Sequence, residues 1–224
     1  MSYTQILYPQ LRDLLDQGAQ LVEVLPADEY AELHLPDAIS IPLKTLDANT
    51  TADLDRGTPV VVYCWDALCD MSPRAAYRLT TLGFEHVYDY MPSKVDWMAR
   101  GLPLEGTKAT EPRTIDFARH DAATCGLNER LGDIARRVAS SPYSFGLVLS
   151  DTGVLLGRLR QSALDGDPQA QAEEVMQSGP STVRADTNPR ELAQRLQKTN
   201  LTTAVITDPD GRLLGIARLD DLPR

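Results

Sequence analysis

Three cysteines, Cys64, Cys69 and Cys125, are the side chains with the widest chemical range in this 224-residue chain. An odd, sparse set without metal-ligand spacing argues against a disulfide scaffold and against structural zinc. Cys64 differs from the other two in its setting. The apolar run Pro59 to Tyr63 leads straight into it, Trp65 and Asp66 follow, and Cys69 lies five positions on, before Ser72-Pro73. A strand that delivers a cysteine to a short loop before a helix places it where open α/β folds build their sites. Unpaired helix N–H groups and a partial positive charge face such a loop. The expectation is a thiol that ionises near neutral pH and acts as a nucleophile, against the opposing charges of Asp66 and Asp70. The plainer alternative is a small apolar residue at a strand end. No basic residue lies between Cys64 and Ser72, and Arg74 is the nearest.

The elements that would position this loop alternate between strand and helix signals. Ile6 to Gln17 reads as an amphipathic helix carrying Leu11, Leu14 and Leu15 on one face. Gln20 to Leu25 is a strand, Ala27 to Leu33 a short helix, and Ala38 to Pro42 a short strand. Pro59 to Tyr63 has the continuous apolar character of a strand covered on both faces. Ser72 to Leu82 is a helix that Ser72 can cap, Val87 to Tyr90 a strand, and Val95 to Arg100 a helical turn. The alternation predicts a parallel sheet between helical layers. From Gly106 to Asp121 the chain is polar and aperiodic, which reads as a linker over 108–120 between a first domain at 1–107 and a second at 121–224.

The second half repeats itself. With Thr124 set over Thr182, the same 58-residue offset puts Ala135 on Ala193, Gly153 on Gly211, Leu155-Leu156-Gly157 on Leu213-Leu214-Gly215, Arg160 on Arg218 and Leu164 on Leu222, with no gap. A period this long predicts two copies of one supersecondary unit, 121–165 and 172–224, related by a pseudo-two-fold axis. Each copy reads helix, strand, tight turn, strand, helix start. Asp208-Pro-Asp-Gly211 is the clearest turn. Cys125 falls on Val183 and reads as core.

The motifs of the first half resemble the rhodanese domain over about residues 5 to 106. They are Asp28-Glu-Tyr-Ala31, His34-Leu-Pro-Asp-Ala-Ile39, Ile41-Pro42, Val61-Val-Tyr-Cys64, Ser72 with Ala75-Ala76, Gly83-Phe84, and Asp96-Trp97 with Gly101-Leu-Pro-Leu-Glu-Gly106. The resemblance implies a sulfurtransferase fold whose loop cysteine, here Cys64, carries a persulfide. Trp65, Asp66, Cys69 and Ser72 then line the loop. The sequence departs from the family in three places. The loop is about two residues longer and lacks the usual arginine. Glu23-Val-Leu25 stands where Asp-Val-Arg is usual. Pro92-Ser93 replaces a common glycine pair. Cys69 has two readings: a thiol that resolves a persulfide or oxidised Cys64 by forming a loop disulfide, or a small residue that pins the loop. His34, His86 and His120 form no triad, and Trp97 reads as core or as a wall of the loop site.

The second half resembles the cystathionine-β-synthase-type (CBS) domain, through Ala172-Glu-Glu-Val-Met176, Pro180-Ser-Thr-Val183, Ala204-Val-Ile-Thr-Asp208, Gly211-Arg-Leu-Leu-Gly-Ile216 and Asp220-Asp-Leu222. The resemblance implies a pair that binds AMP, ATP or S-adenosylmethionine as a regulatory ligand, with no cofactor required for activity. The family's ribose-phosphate signature falls on Gly215 to Asp221. It retains Asp221 but has Arg218 in place of a hydroxyl residue, and copy one has Ala163 where the aspartate would stand. One nucleotide site is expected, using Thr182, Thr202, Ala204, Arg218 and Asp221. The alternative is a degenerate pair used for packing or dimerisation.

The fold class expected is therefore α/β, a rhodanese-like parallel-sheet sandwich followed by a CBS-pair module. The function expected is a cytoplasmic sulfurtransferase with a small-molecule or protein sulfur donor, a thiol acceptor and homodimeric association. The rivals are a non-catalytic nucleotide- or redox-responsive sensor, and thiol–disulfide exchange by Cys64 and Cys69. The net charge of -10 argues against nucleic acid or an anionic membrane as partner, and no apolar run approaches a membrane span.

Overall fold

A computed structural model describes residues 2–223; Met1 and Arg224, the outermost positions of the two expected domains, lie outside them. The chain divides into two compact units, Met1–Glu111 and Pro112–Arg224.

The first unit contains β1 (Thr4–Ile6), α1 (Tyr8–Asp16), β2 (Gln20–Glu23), α2 (Ala27–Glu32), β3 (Ile39–Ser40), β4 (Val60–Tyr63), α3 (Met71–Thr81), β5 (Val87–Tyr90) and α4 (Ser93–Ala99). Its strands form one parallel sheet in the order β1-β5-β4-β2-β3. β4 lies at the centre, and all four of its residues are buried, as its unbroken apolar run requires. Side chains alternate across the sheet. Val60, Val62 and Cys64 face one layer with Ala75, Ala76 and Leu79 of α3 and Leu43, Leu46 and Leu54 of the preceding loop. Val61 and Tyr63 face the other, with Leu11, Leu21, Leu35 and Tyr90. This alternation places Cys64 beneath α3.

β1 is an element the sequence reading ran into its first helix. Three residues show no period of their own, and Thr4–Ile6 become a strand only by pairing with Tyr88–Tyr90.

The second unit opens with a 3-10 turn at Thr114–Phe117, inside the stretch read as a polar linker. Thr114 is fully buried; its N–H and hydroxyl both donate to Thr187 O, at 3.0 and 2.8 Å, and Ile115 N donates to Ala185 O. There follow β6 (Thr124–Cys125), α5 (Leu131–Ala139), β7 (Phe145–Leu149), β8 (Leu155–Arg160), α6 (Gln161–Leu164), α7 (Ala172–Val175), β9 (Gln177–Ser178), β10 (Thr182–Arg184), α8 (Pro189–Lys198), β11 (Thr203–Thr207) and β12 (Leu213–Arg218). The β6-β7-β8 and β10-β11-β12 ladders carry the same parallel-then-antiparallel pattern. Each has its bulge at an equivalent place, Val148/Leu149 and Ile206/Thr207.

The pseudo-dyad is visible in the hydrogen bonds. Val154 bridges Arg212, its own repeat mate, and the flanking bonds Leu155 N to Gly211 O (2.9 Å) and Leu213 N to Gly153 O (3.0 Å) mirror each other. The copies also exchange edges. Gln177 of β9 pairs with Arg158 on copy one, while Arg119, its counterpart before copy one, pairs with Ile216 on copy two. Each borrowed segment covers a return-strand edge that would otherwise lie open. Phe145 and Leu147 meet Val205 and Ile216 in a core shared by both copies. No helix among the described residues is long and apolar enough to cross a membrane.

Candidate functional site

β4 delivers Cys64 at its C-terminal end, and α4 and α3 hold it there. Cys64 N donates to Ser93 Oγ at 3.1 Å. Cys64 O and Trp65 O accept from the first-turn amides of α4, Lys94 N at 3.4 Å and Val95 N at 2.9 Å. The Cys64 thiol is fully buried. It lies 3.3 Å from Ser72 Oγ, 3.6 Å from Cys69 O and 3.9 Å from Asp66 O.

This setting corrects the expected ionisation. Burial pushes the Cys64 thiol up to about 11; the Ser72 hydroxyl pulls it down by less, and Cys69 beside it pushes further up. The Ser72 backbone amide acts on the sulfur and lowers its pKa, but the amides of the loop before it do not converge there. Asp66 takes them: its Oδ1 accepts from Leu68 N at 3.0 Å and Cys69 N at 3.1 Å. A carboxylate from the loop itself thus fills the place an anionic group would occupy.

Ser72 also departs from its expected role. The helix cap is Asp70, whose side chain makes no cap bond and pairs instead with exposed Arg74 at 3.4 Å. Ser72 sits inside α3, fully buried and turned to the thiol. Trp65 is partly buried and lies under the Lys94 ammonium, 5.3 Å from its ring centroid. Trp97 belongs to the opposite face of the sheet, edge-on to Tyr8, so it is core and not a wall of the loop. His34 stacks on Tyr30 and its Nε2 lies 3.4 Å from Glu105, a structural arrangement.

Four residues around Cys64 escaped the sequence reading. Ser93 has φ +57°, the left-handed region that favours glycine. The replaced glycine pair at Pro92-Ser93 was the available signal. Lys94 and Glu23 form a wholly buried ion pair at 2.8 Å, and Lys94 Nζ also donates to Leu33 O. Burial outweighs the attraction of Lys94 and holds the Glu23 carboxyl above its usual range. Asp89, fully buried beside β4, accepts from Gln5 at 3.3 Å; burial raises its pKa and the Ser72 hydroxyl lowers it.

In the second unit, Thr202, Ala204, Arg218 and Asp221 gather at one end of the β11-β12 hairpin. Leu219 N donates to Thr202 O at 2.9 Å, Ala204 pairs with Ala217, and Asp221 N donates to Arg218 O at 3.0 Å. Thr182 lies one strand away, opposite Val205. The Asp221 carboxylate is engaged within the protein: Arg119 Nε and Nη2 donate to its two oxygens at 2.6 and 2.7 Å, which holds it below the usual carboxylate range. Cys125 is core, as expected, and burial pushes its thiol up to about 11.

The model of the rhodanese-like domain matches residues 8–100, with Cys64 in the loop just described. Thiosulfate sulfurtransferase GlpE of Pseudomonas savastanoi pv. phaseolicola is 36% identical over 80 residues, 35% of this chain and 72% of that protein. The chain belongs to the rhodanese-like family. The chain is also 36% identical over 85 residues to the HTH-type transcriptional regulator Rv0324 of Mycobacterium tuberculosis, a match over 38% of this chain that spans only 37% of that regulator's length. The model of the CBS domain matches residues 172–223, copy two of the repeat. A crystal structure of the BH2092 protein from Bacillus halodurans is 30% identical, covers 48% of this chain and 79% of its own, and superposes with a TM-score of 0.45.

Proposed function

We propose that the rhodanese-like unit is a sulfurtransferase that carries a sulfane sulfur on Cys64, and that the CBS unit binds an adenine nucleotide that modulates it. The observation that carries the reading is the placement of Cys64. It ends the central strand of a rhodanese-like domain, with its backbone N–H on Ser93, its thiol on Ser72 and a half-buried tryptophan beside it. Transfer proceeds in two steps. A donor passes sulfur to the Cys64 thiolate, and a thiol acceptor then removes it. With the thiol buried and its pKa near 11, loading requires Asp66 to release the Leu68 and Cys69 amides, which then face the incoming anion.

Incubation with thiosulfate, or with mercaptopyruvate and its enzyme, followed by intact mass measurement, tests the reading. A cyanide-labile gain of one sulfur that disappears in Cys64→Ser supports it. No gain with either donor in the Cys69→Ser variant, and neither a gain nor a Cys64–Cys69 disulfide in the wild type, removes it. A nucleotide that binds the native state raises the melting temperature, so a thermal-shift series with AMP, ATP and S-adenosylmethionine tests the second unit.

A second reading, a non-catalytic sensor or docking element, draws on the filled amide cradle and on the salt bridge that occupies Asp221. It predicts that neither donor labels Cys64 while an oxidant or a nucleotide still changes the protein's stability.

A further inference from the structure

We propose that Cys69 is a second reactive thiol, which discharges the sulfur held on Cys64 as sulfide and leaves a Cys64–Cys69 disulfide. The inference rests on the reading of Cys64 as the sulfur carrier.

Cys64 has no exposed surface, so an external donor or acceptor reaches it only when the loop opens. Cys69 is already inside that loop. It packs against the same apolar cluster that contains Cys64, and it remains partly exposed while Cys64 does not. Its carbonyl lies 3.6 Å from Cys64 Sγ. Asp66 fixes it there from two atoms, its Oδ1 and its backbone O both accepting from Cys69 N, at 3.1 and 3.2 Å. Neither thiol is committed elsewhere, since both cysteines are free. The exposed Leu68 side chain marks the intervening segment as the tip of a turn that folds Cys69 back over the strand end. A nucleophile held this way has a large advantage over one from solution.

The step balances without an external oxidant. The Cys69 thiolate attacks Cys64 Sγ, the inner sulfur of the persulfide. A Cys64–Cys69 bond forms, the bond from Cys64 Sγ to the outer sulfur breaks, and its electron pair leaves with the outer sulfur as hydrosulfide. The sulfane sulfur is reduced to sulfide and the two cysteines are oxidised to a disulfide. The Cys69 proton passes to solvent or to the departing hydrosulfide. A dithiol reductant returns the loop to its starting state.

The test is a single turnover of the full chain. Reduced protein is loaded with a small excess of glutathione persulfide and freed of donor. Intact mass, peptide mapping and released sulfide are then followed together. The wild type is expected to lose two hydrogens, show a Cys64–Cys69 linkage and release sulfide without added reductant. Cys69→Ser and Cys69→Ala are expected to keep one extra sulfur on Cys64 and to release sulfide at least about tenfold more slowly until a dithiol is added. Two substitutions guard against a folding defect in either one. The proposal is overturned if wild type and both variants hold the extra sulfur equally long, with no linkage. In that case Cys64 remains the carrier. If none of the three takes up sulfur on Cys64, the carrier reading and this step fall together.

Discussion

The side chain of Ser93 and the backbone of Cys64 are locked together: Ser93 Oγ accepts from Cys64 N at 3.1 Å and donates to Tyr90 O at 2.9 Å. Ser93 holds this position at φ +57°, so a side chain needed for a buried hydrogen bond sits in a backbone conformation that costs about 1–2 kcal/mol. Ser93→Ala retains the strain and orphans the Cys64 amide. It is expected to destabilise the first unit by about 1–3 kcal/mol. Ser93→Gly relieves the strain and should cost less. Denaturant midpoints of the two variants check the order, and an alanine variant as stable as wild type would remove the hydrogen bond's role.

Cys64 should alkylate slowly at neutral pH, with a midpoint near 11 set mainly by burial. The thiol of an unfolded chain ionises at about 8.5. A folded pKa above the unfolded one means that the group's contribution to stability is complete below pH ~8.5 and is lost as pH rises toward about 11. Iodoacetamide kinetics against pH, with the Cys64→Ser variant as background, measure the midpoint directly. A midpoint at or below that of a free thiol would show that the loop is open in solution.

The Asp66 carboxylate closes the loop, so Asp66→Ala should speed alkylation of Cys64 and of Cys69. The variant loses two hydrogen bonds to backbone amides, each worth about 1.5–3 kcal/mol when the acceptor is charged. Part of this is recovered because the released amides reach water. Unchanged reactivity at both cysteines would show that packing under α3, and not Asp66, keeps the thiol covered.

Lys94 and Glu23 are wholly buried as a pair. Lys94→Met leaves Glu23 without its partner and should destabilise by about 3–5 kcal/mol. Glu23→Leu with Lys94→Met together should recover most of that loss, because neither charge then needs desolvation. A double variant as unstable as the single one would point to the Lys94 bond to Leu33 O, or its place over Trp65, as the larger contribution.

Gly215 tests the exchanged edge. A Cβ there would lie 2.8 Å from Arg119 O and 3.0 Å from Ala118 Cβ, on a backbone at φ +149°. Gly215→Ala is expected to cost about 1–3 kcal/mol and to loosen the 118–119 segment. Gly157→Ala meets only the flexible Met176 side chain and should cost less. Hydrogen exchange at Arg119 N and Ile216 N, which bond each other's carbonyls at 2.9 Å, reports the loosening.

Arg119→Ala frees the Asp221 carboxylate. If Asp221 receives a ribose, the melting-temperature shift given by AMP should grow in this variant and vanish in Asp221→Ala. A shift that survives Asp221→Ala removes the ribose assignment.

The sequence alone determined the parallel sheet, the cysteine at the end of its central strand and the two-copy second unit. Each of these leaves a periodic or repeated mark: the unbroken apolar run at Val60 to Tyr63, and the identities one repeat apart from Thr124 and Thr182 onward. What surrounds the cysteine left no such mark. Glu23 lies 71 positions before Lys94, and it joins Asp89, Ser93 and Lys94 around the cysteine only because β2, β4, β5 and α4 bring their ends together. The two-residue strand β9 and the Arg119 bridge are too short to show a period, and pairing with the other copy alone defines them. The ionisation of Cys64 was likewise decided by tertiary structure. The spacing of strand, loop and helix promised backbone amides and a lowered pKa. Packing beneath α3 removed water from the sulfur, and Asp66 took the Leu68 and Cys69 amides, so desolvation outweighed the pull of the Ser72 amide and hydroxyl.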